Sequence, residues 1–474
     1  MKLNKTLMAL AVGLAVAPFA HGQANPVYLA GSTAFRAQVF QALTDLGLTP
    51  NTGDVNTANT FTFHGTVTPS ANMASVLSAN GYPLPSGFNG QSVTFYCSFD
   101  GSAQGVHDLT AETQNSFNPV GGGTQFTHGI DCAFSDVAQA STIFTSPGLR
   151  EFVAPDAGTT PGTGVAVVPF LWAANAAASN AGVTYIKHDI IKYLFNSGSA
   201  PLAFWTGNNS DGFTLVAVTG RDNGSGSRIV PQDLEGWLPG TQISQYLIGA
   251  STSDPDGLAT GLSWTTGGTL VGNPGTAIVS SSTSPLPSGG YSSGGKVCDA
   301  LAYPAVAQDS GNGAGGDGGA STSTAAAVGC MSFSDAKNLP YPVQLAAAEA
   351  APGWVHATPV AGEILTYEGI NPVLSLPAAP GPLVYNINAV INGTYPVWVY
   401  EHLYENPDVT TGSYVDVDAG PGLTRALWYE IYVQGSLHSA TGGGLVFPQT
   451  AIIESDMDVA RNSDGGGLIP YYLP

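Results

Sequence analysis

The chain has 474 residues, a formal net charge of −21 and only 9% charged residues, against about 25% in an average soluble domain. Its 12 Lys and Arg residues cannot supply the basic footprint that nucleic acid or an anionic membrane surface requires. The length, with 43% hydrophobic residues, allows two or three compact domains.

The first 24 residues read as a secretory signal peptide. Lys2 and Lys5 precede an apolar stretch from Leu7 to Ala20, and small residues follow at Ala20, Gly22 and Ala24. The apolar stretch is too short, and too interrupted by Gly13 and Pro18, to favour a membrane span. A periplasmic or secreted location follows.

Pro26 to Ala30 reads as a buried strand, Gly31-Ser32-Thr33 as a turn, and Ala34 to Leu46 as a helix. Val93 to Cys97 and Gly129 to Phe134 are further strands, and Ala166 to Trp172 is a fourth apolar run. A helix starting near Asp189 breaks at Asn196-Ser197-Gly198. Phe213 to Val218 predicts a strand running into Arg221-Asp-Asn-Gly-Ser-Gly-Ser227. Residues 251–295 are turn-rich, and structure resumes at Val397 to Asn406 and Ala426 to Gln434. Short strands alternating with helices predict an α/β fold.

Three strands thus lead into Gly/Ser/Thr turns, at Gly31-Ser32-Thr33, Gly101-Ser102 and Gly224 to Ser227. A strand end feeding a helix start is where open α/β sheets place ligands, and helix-start N–H groups favour an anion. Each string alone is more often a plain turn or helix cap.

Cys97, Cys132, Cys298 and Cys330 form no C-x-x-C pair. An even count in an exported chain predicts disulfides, here Cys298–Cys330 and Cys97–Cys132, against the alternative of buried thiols. The first would close a loop of roughly 30 residues and stabilise the fold by roughly 3–4 kcal/mol.

No H-E-x-x-H or Walker A string occurs. His64, His107, His128, His188, His356, His402 and His438 are dispersed, and Glu454, Asp456 and Asp458 read as a solvated acidic run. No catalytic residue, metal ligand or cofactor is predicted, and the chain reads as a non-enzyme.

Taken in order, four segments resemble the periplasmic phosphate-binding protein of ABC importers. They are Ala30-Gly-Ser-Thr-Ala-Phe-Arg36, Tyr96-Cys-Ser-Phe-Asp-Gly-Ser102, Ile130-Asp-Cys-Ala-Phe-Ser-Asp136 and Arg221-Asp-Asn-Gly-Ser-Gly-Ser227. The third is similar to the family's D-F-G-A-S-D string and the fourth to its R-x-D-G-S-G-T motif. The resemblance implies an α/β fold, a two-lobed type II periplasmic binding protein with a hinge between lobes. Residues 25–165 and 385–474 would form lobe one, and 166–384 lobe two. Insertions stand near 50–90, 110–128, 250–295 and 309–327.

The resemblance also assigns roles. Ser32, Thr33, Phe35 and Ser102 would offer hydroxyl and backbone donors to phosphate, facing Ser225, Gly226 and Ser227 from the other lobe. Arg221 would supply a bidentate fork, oriented by Asn223, which stands where the family has aspartate. Asp136 would accept the ligand's P–O–H proton and repel sulfate, which has none to give. A competing reading makes Asp136 a helix N-cap. The implied partners are inorganic phosphate and an ABC permease, with a monomeric binding protein and no nucleic acid. Phosphate and arsenate are not separated by these residues. The rival readings are a secreted matrix protein of the same fold and an exported phosphate-ester hydrolase.

Overall fold

The computed structural model describes residues 26–54, 59–67, 90, 92–151, 164–241, 243–246, 263–265, 269–271, 274–275, 290–291, 293–302, 307–308, 323–324, 326–336, 364–375, 384–405, 427, 431, 451–452, 457–461, 463 and 468–470. The signal peptide, most of residues 250–295 and 309–327, and the Ala426–Gln434 segment apart from Leu427 and Ile431 lie outside them.

One mixed sheet of eleven strands organises the described chain. In chain order they are β1 (Pro26–Gly31), β2 (Thr49–Pro50), β3 (Thr60–Thr66), β4 (Ser92–Ser98), β5 (Cys132–Ser135), β6 (Arg150–Glu151), β7 (Ala166–Ala174), β8 (Ser199–Pro201), β9 (Leu215–Thr219), β10 (Ala326–Ser332) and β11 (Trp398–Glu405). Their spatial order is β8-β9-β10-β7-β11-β5-β1-β4-β3-β2, with β6 also paired to β11. The longer helices are α1 (Arg36–Asp45), α2 (Ser102–Ala111), α3 (His188–Ser197), α4 (Gly226–Leu234) and α5 (Gly294–Ala302).

Local sequence explains the elements. β1 has parallel neighbours on both sides, β4 and β5. It is therefore an unbroken apolar run rather than an alternating one. α3 ends on Gly198 in the left-handed region at φ 77, whose N–H returns to the Leu194 carbonyl, a glycine stop that the sequence announces. Two predicted strands start late. Asp131 takes over the ladder beside Tyr28, accepting from its N–H through Oδ2 at 2.8 Å, so β5 begins at Cys132. Phe213 ends a 3-10 turn and is 93% exposed, so β9 begins at Leu215.

The middle of the sheet is an antiparallel pair of long strands that each change partner. β7 pairs with β11 over Ala166–Pro169 and with β10 over Phe170–Ala174. β11 pairs with β7 over Trp398–Glu401 and with β5 over His402–Glu405. Pro169, which has no N–H to donate, sits where β7 changes over, a place where the ladder is already interrupted.

The cysteines correct the disulfide expectation: all four are buried and none is disulfide-bonded. Cys97 and Cys132 both align with Leu29, on opposite sides of β1. Two strand spacings of about 4.8 Å separate them, beyond the roughly 7 Å Cα separation that a bridge tolerates. Cys298 Sγ lies 3.3 Å from Met331 Sδ. Cys330 precedes Met331 on β10 and so points to the opposite face of the sheet.

Candidate functional site

The chain leaves β1 and returns first on one side, as β4, and then on the other, as β5. The C-terminal ends of these parallel strands therefore meet at a switch in strand order, where open α/β sheets form a crevice. Backbone hydrogen bonds tie the loops together there. Ser32 N donates to the Phe134 carbonyl at 2.8 Å, and Gly101 N donates to the Gly31 carbonyl at 3.0 Å. The loop before α4 joins from the far side of the sheet, with Gln104 N donating to the Gly224 carbonyl at 2.9 Å.

Asp136 is 2% exposed and stands at the centre. Ser32 Oγ donates to its Oδ2 at 3.3 Å, while the same hydroxyl accepts from Phe35 N at 3.2 Å. Its Oδ1 presses on the first residue of α4: a Cβ at Gly226 would lie 1.3 Å from it. Only glycine permits that approach. Asp136 does not cap a helix of its own, because the following helical turn starts at Gln139 with Ala138 as N-cap.

Arg221 is 1% exposed, and its side chain makes three hydrogen bonds. Nε donates to the Tyr291 carbonyl at 2.8 Å, Nη1 to Thr33 Oγ1 at 2.9 Å and Nη2 to the Asp100 carbonyl at 3.4 Å. Thr33 and Arg221 are 188 positions apart in the chain. Ser225 and Ser227 share a hydrogen bond of 2.8 Å at the start of α4, and Ser102 is the buried first residue of α2. Phe35 lies under the cluster, its ring centroid 5.4 Å from that of Phe134.

Each residue that the resemblance assigns to phosphate is thus buried, around two helix starts and three strand ends. The role expected of Asn223 is not the one observed. The contacts of Arg221 run to Tyr291, Thr33 and Asp100, and Asn223 Oδ1 has no hydrogen-bond partner among the described residues. Asn223 instead lines a small cleft with Ala103, Phe144 and Ile229.

Two further arginines escaped the sequence reading, although each adjoins a motif residue. Arg36 follows Phe35 and donates to Asn59 Oδ1 at 2.6 Å. Burial lowers its proton affinity; Asp335 opposes that effect and Arg221 adds to it. Arg228 follows Ser227, and burial brings its pKa down to about 10 despite the Asp222 carboxylate. The Asp100 carboxyl is pushed well above its ordinary range, first by burial and then by Asp108, with Arg221 acting against the shift. Among the described residues no group of three His, Cys, Asp or Glu is placed to hold a metal ion. What remains is a set of hydroxyl, guanidinium and helix-start donors with the Asp136 carboxylate among them.

No protein-family profile matches this chain, and no curated protein does. Solved structures do. A Clostridium perfringens protein with bound phosphate, described as an ABC transporter substrate-binding protein, aligns over 90% of this chain and 99% of its own, at 12% identity and a TM-score of 0.35. An ABC-type phosphate transport receptor of Vibrio cholerae aligns over 90% and 99%, at 10% identity and a TM-score of 0.37. PstS of Borrelia burgdorferi aligns over 81% and 87%, at 11% identity and a TM-score of 0.27. Likeness at this level does not say which residues bind a ligand. No described helix is long and apolar enough to cross a membrane.

Proposed function

We propose that this chain is an exported solute-binding protein that captures inorganic phosphate and hands it to an ABC permease. Residues 25–165 and 385–474 form one lobe and 166–384 the other in this reading. β7 and β11, each shared between two neighbours, serve as the hinge strands about which the lobes close.

One observation carries the reading. Asp136 meets Ser32 on one side and Gly226 on the other, while Arg221 reaches Thr33. Donors and the Asp136 carboxylate therefore converge from separated parts of the chain into one buried cluster. Tetrahedral phosphate suits that set. Its oxygens accept from the guanidinium fork, the hydroxyls and the N–H groups at the start of α4. Its remaining proton is donated to Asp136, which as a carboxylate can only accept. Sulfate brings no proton and would leave two negative charges facing each other without water, an arrangement that disfavours it.

Binding to the folded state alone stabilises it by mass action. Starting from ligand-free protein, millimolar phosphate is expected to raise the melting temperature, and millimolar sulfate to leave it where it was. An unchanged melting temperature in phosphate would remove the reading.

A further inference from the structure

The turn-rich stretch of residues 251–295 lies between β9 and β10. Described residues near both of its ends return to Arg221. At the first, Gln245 is 2% exposed and donates through Nε2 to the Arg221 carbonyl at 2.8 Å. At the other, Tyr291 bridges Arg221 in parallel fashion. Its carbonyl accepts from Arg221 Nε at 2.8 Å and from Asp222 N at 3.1 Å, and its N–H donates to the Gly220 carbonyl at 3.0 Å. Arg228 Nη1 adds a second donor to the Arg221 carbonyl at 3.2 Å. Gly290 lies so close that a Cβ there would stand 2.1 Å from the Arg221 carbonyl carbon and oxygen.

Taking Arg221 as the anion-binding guanidinium of the reading above, we infer that Gln245 and the Gly290–Tyr291 segment are positioning residues for it. Neither need touch the ligand. Gln245 fixes the backbone from which the side chain departs. Tyr291 fixes Nε, so the Nη1 and Nη2 edge is turned toward Thr33 and Asp100, the side from which β1 and β4 arrive. A bidentate fork works only in one orientation, so holding it in advance removes the ordering cost from binding.

The test is a double-mutant cycle. Gln245→Met keeps the side chain's size and loses its donor. Phosphate affinity is expected to fall about tenfold in the presence of Arg221, the size of one buried hydrogen bond, and less than about twofold in the Arg221→Lys background. Equal losses in both backgrounds would overturn the inference, since a general loosening of the fold does not depend on the guanidinium. So would no loss in either. Gly290→Ala, which drives a methyl group into the Arg221 backbone, is expected to cost more than Gln245→Met.

A second readout needs no ligand. With arginine-selective 15N labelling, the Arg221 Nε–H should exchange slowly in the wild type and at least about tenfold faster in Gln245→Met if its hydrogen bond to Tyr291 is loosened. Unchanged exchange overturns the inference. Faster exchange in a protein that binds no phosphate would retain the positioning role and discard the phosphate reading.

Discussion

The same tripeptide stands at the C-terminal ends of two strands of the sheet and does different things. β5 runs into Phe134-Ser135-Asp136 and β10 into Phe333-Ser334-Asp335. Both carboxylates are 2% exposed, and both abut the first residue of a helix. A Cβ on Gly226 would lie 1.3 Å from Asp136 Oδ1, and one on Gly294 would lie 1.9 Å from Asp335 Oδ2. The partners differ. Asp335 is held by its own turn: Ser332 Oγ donates to Oδ2 at 2.8 Å and accepts from Asp335 N at 3.1 Å. Asp136 is held across the molecule, by Ser32 at a separation of 104 residues and by α4 from beyond the central strand pair. A carboxylate whose hydroxyl donor lies three residues away is held by local folding. One whose hydroxyl donor sits on a distant loop can be engaged or released when that loop moves.

The largest expected effect breaks the second arrangement at its tightest point. Gly226→Ala puts a methyl group where Asp136 Oδ1 stands. It is expected to reduce phosphate affinity by at least about a hundredfold, while costing folding stability about 1–3 kcal/mol, the usual range for overpacking. Calorimetric titration and thermal unfolding on the same sample separate the two. Wild-type affinity in this variant would show that Asp136 and α4 do not close on the ligand together.

Asp136→Asn against Asp335→Asn sharpens the comparison. Asn keeps the size of the side chain but brings an amide donor. At position 136 the sulfate-to-phosphate affinity ratio is expected to rise by at least about tenfold. At position 335 the ratio should stay fixed, and stability should fall by about 1 kcal/mol as the local turn loses a charge-assisted hydrogen bond. Equal behaviour of the two variants would erase the distinction drawn between them.

Arg221→Lys is the smaller perturbation. It keeps the charge and loses the fork, and it is expected to weaken phosphate binding by roughly 1–3 kcal/mol. Affinity measured in the variant checks this, and an undiminished value would take Arg221 out of the site.

Much of this was legible in the sequence where structure is local. β1, its turn and α1 follow from an apolar run, Gly31-Ser32-Thr33 and helical periodicity, and Gly198 marks the stop of α3. The candidate site was legible because its residues come in short strings at strand ends. What stayed hidden depends on long-range pairing. Nothing near Gln245 or Tyr291 in sequence says that both return to Arg221. Nothing in the sequence near Arg36 and Arg228 says that both are buried. The disulfide expectation failed for the same reason. Cysteine count carries no register, and register puts Cys97 and Cys132 on opposite sides of β1. The role of Asn223 rests on position in a motif, and its carbonyl oxygen makes no hydrogen bond to the guanidinium.

Calorimetric titration of purified, ligand-free protein with phosphate, with sulfate as the parallel arm, tests the central claim most directly. A buried cluster of donors around one carboxylate that accepts the ligand's proton predicts saturable, one-to-one binding of phosphate and no measurable heat with sulfate at the same concentrations. Absence of phosphate binding, or sulfate binding of equal strength, would contradict it.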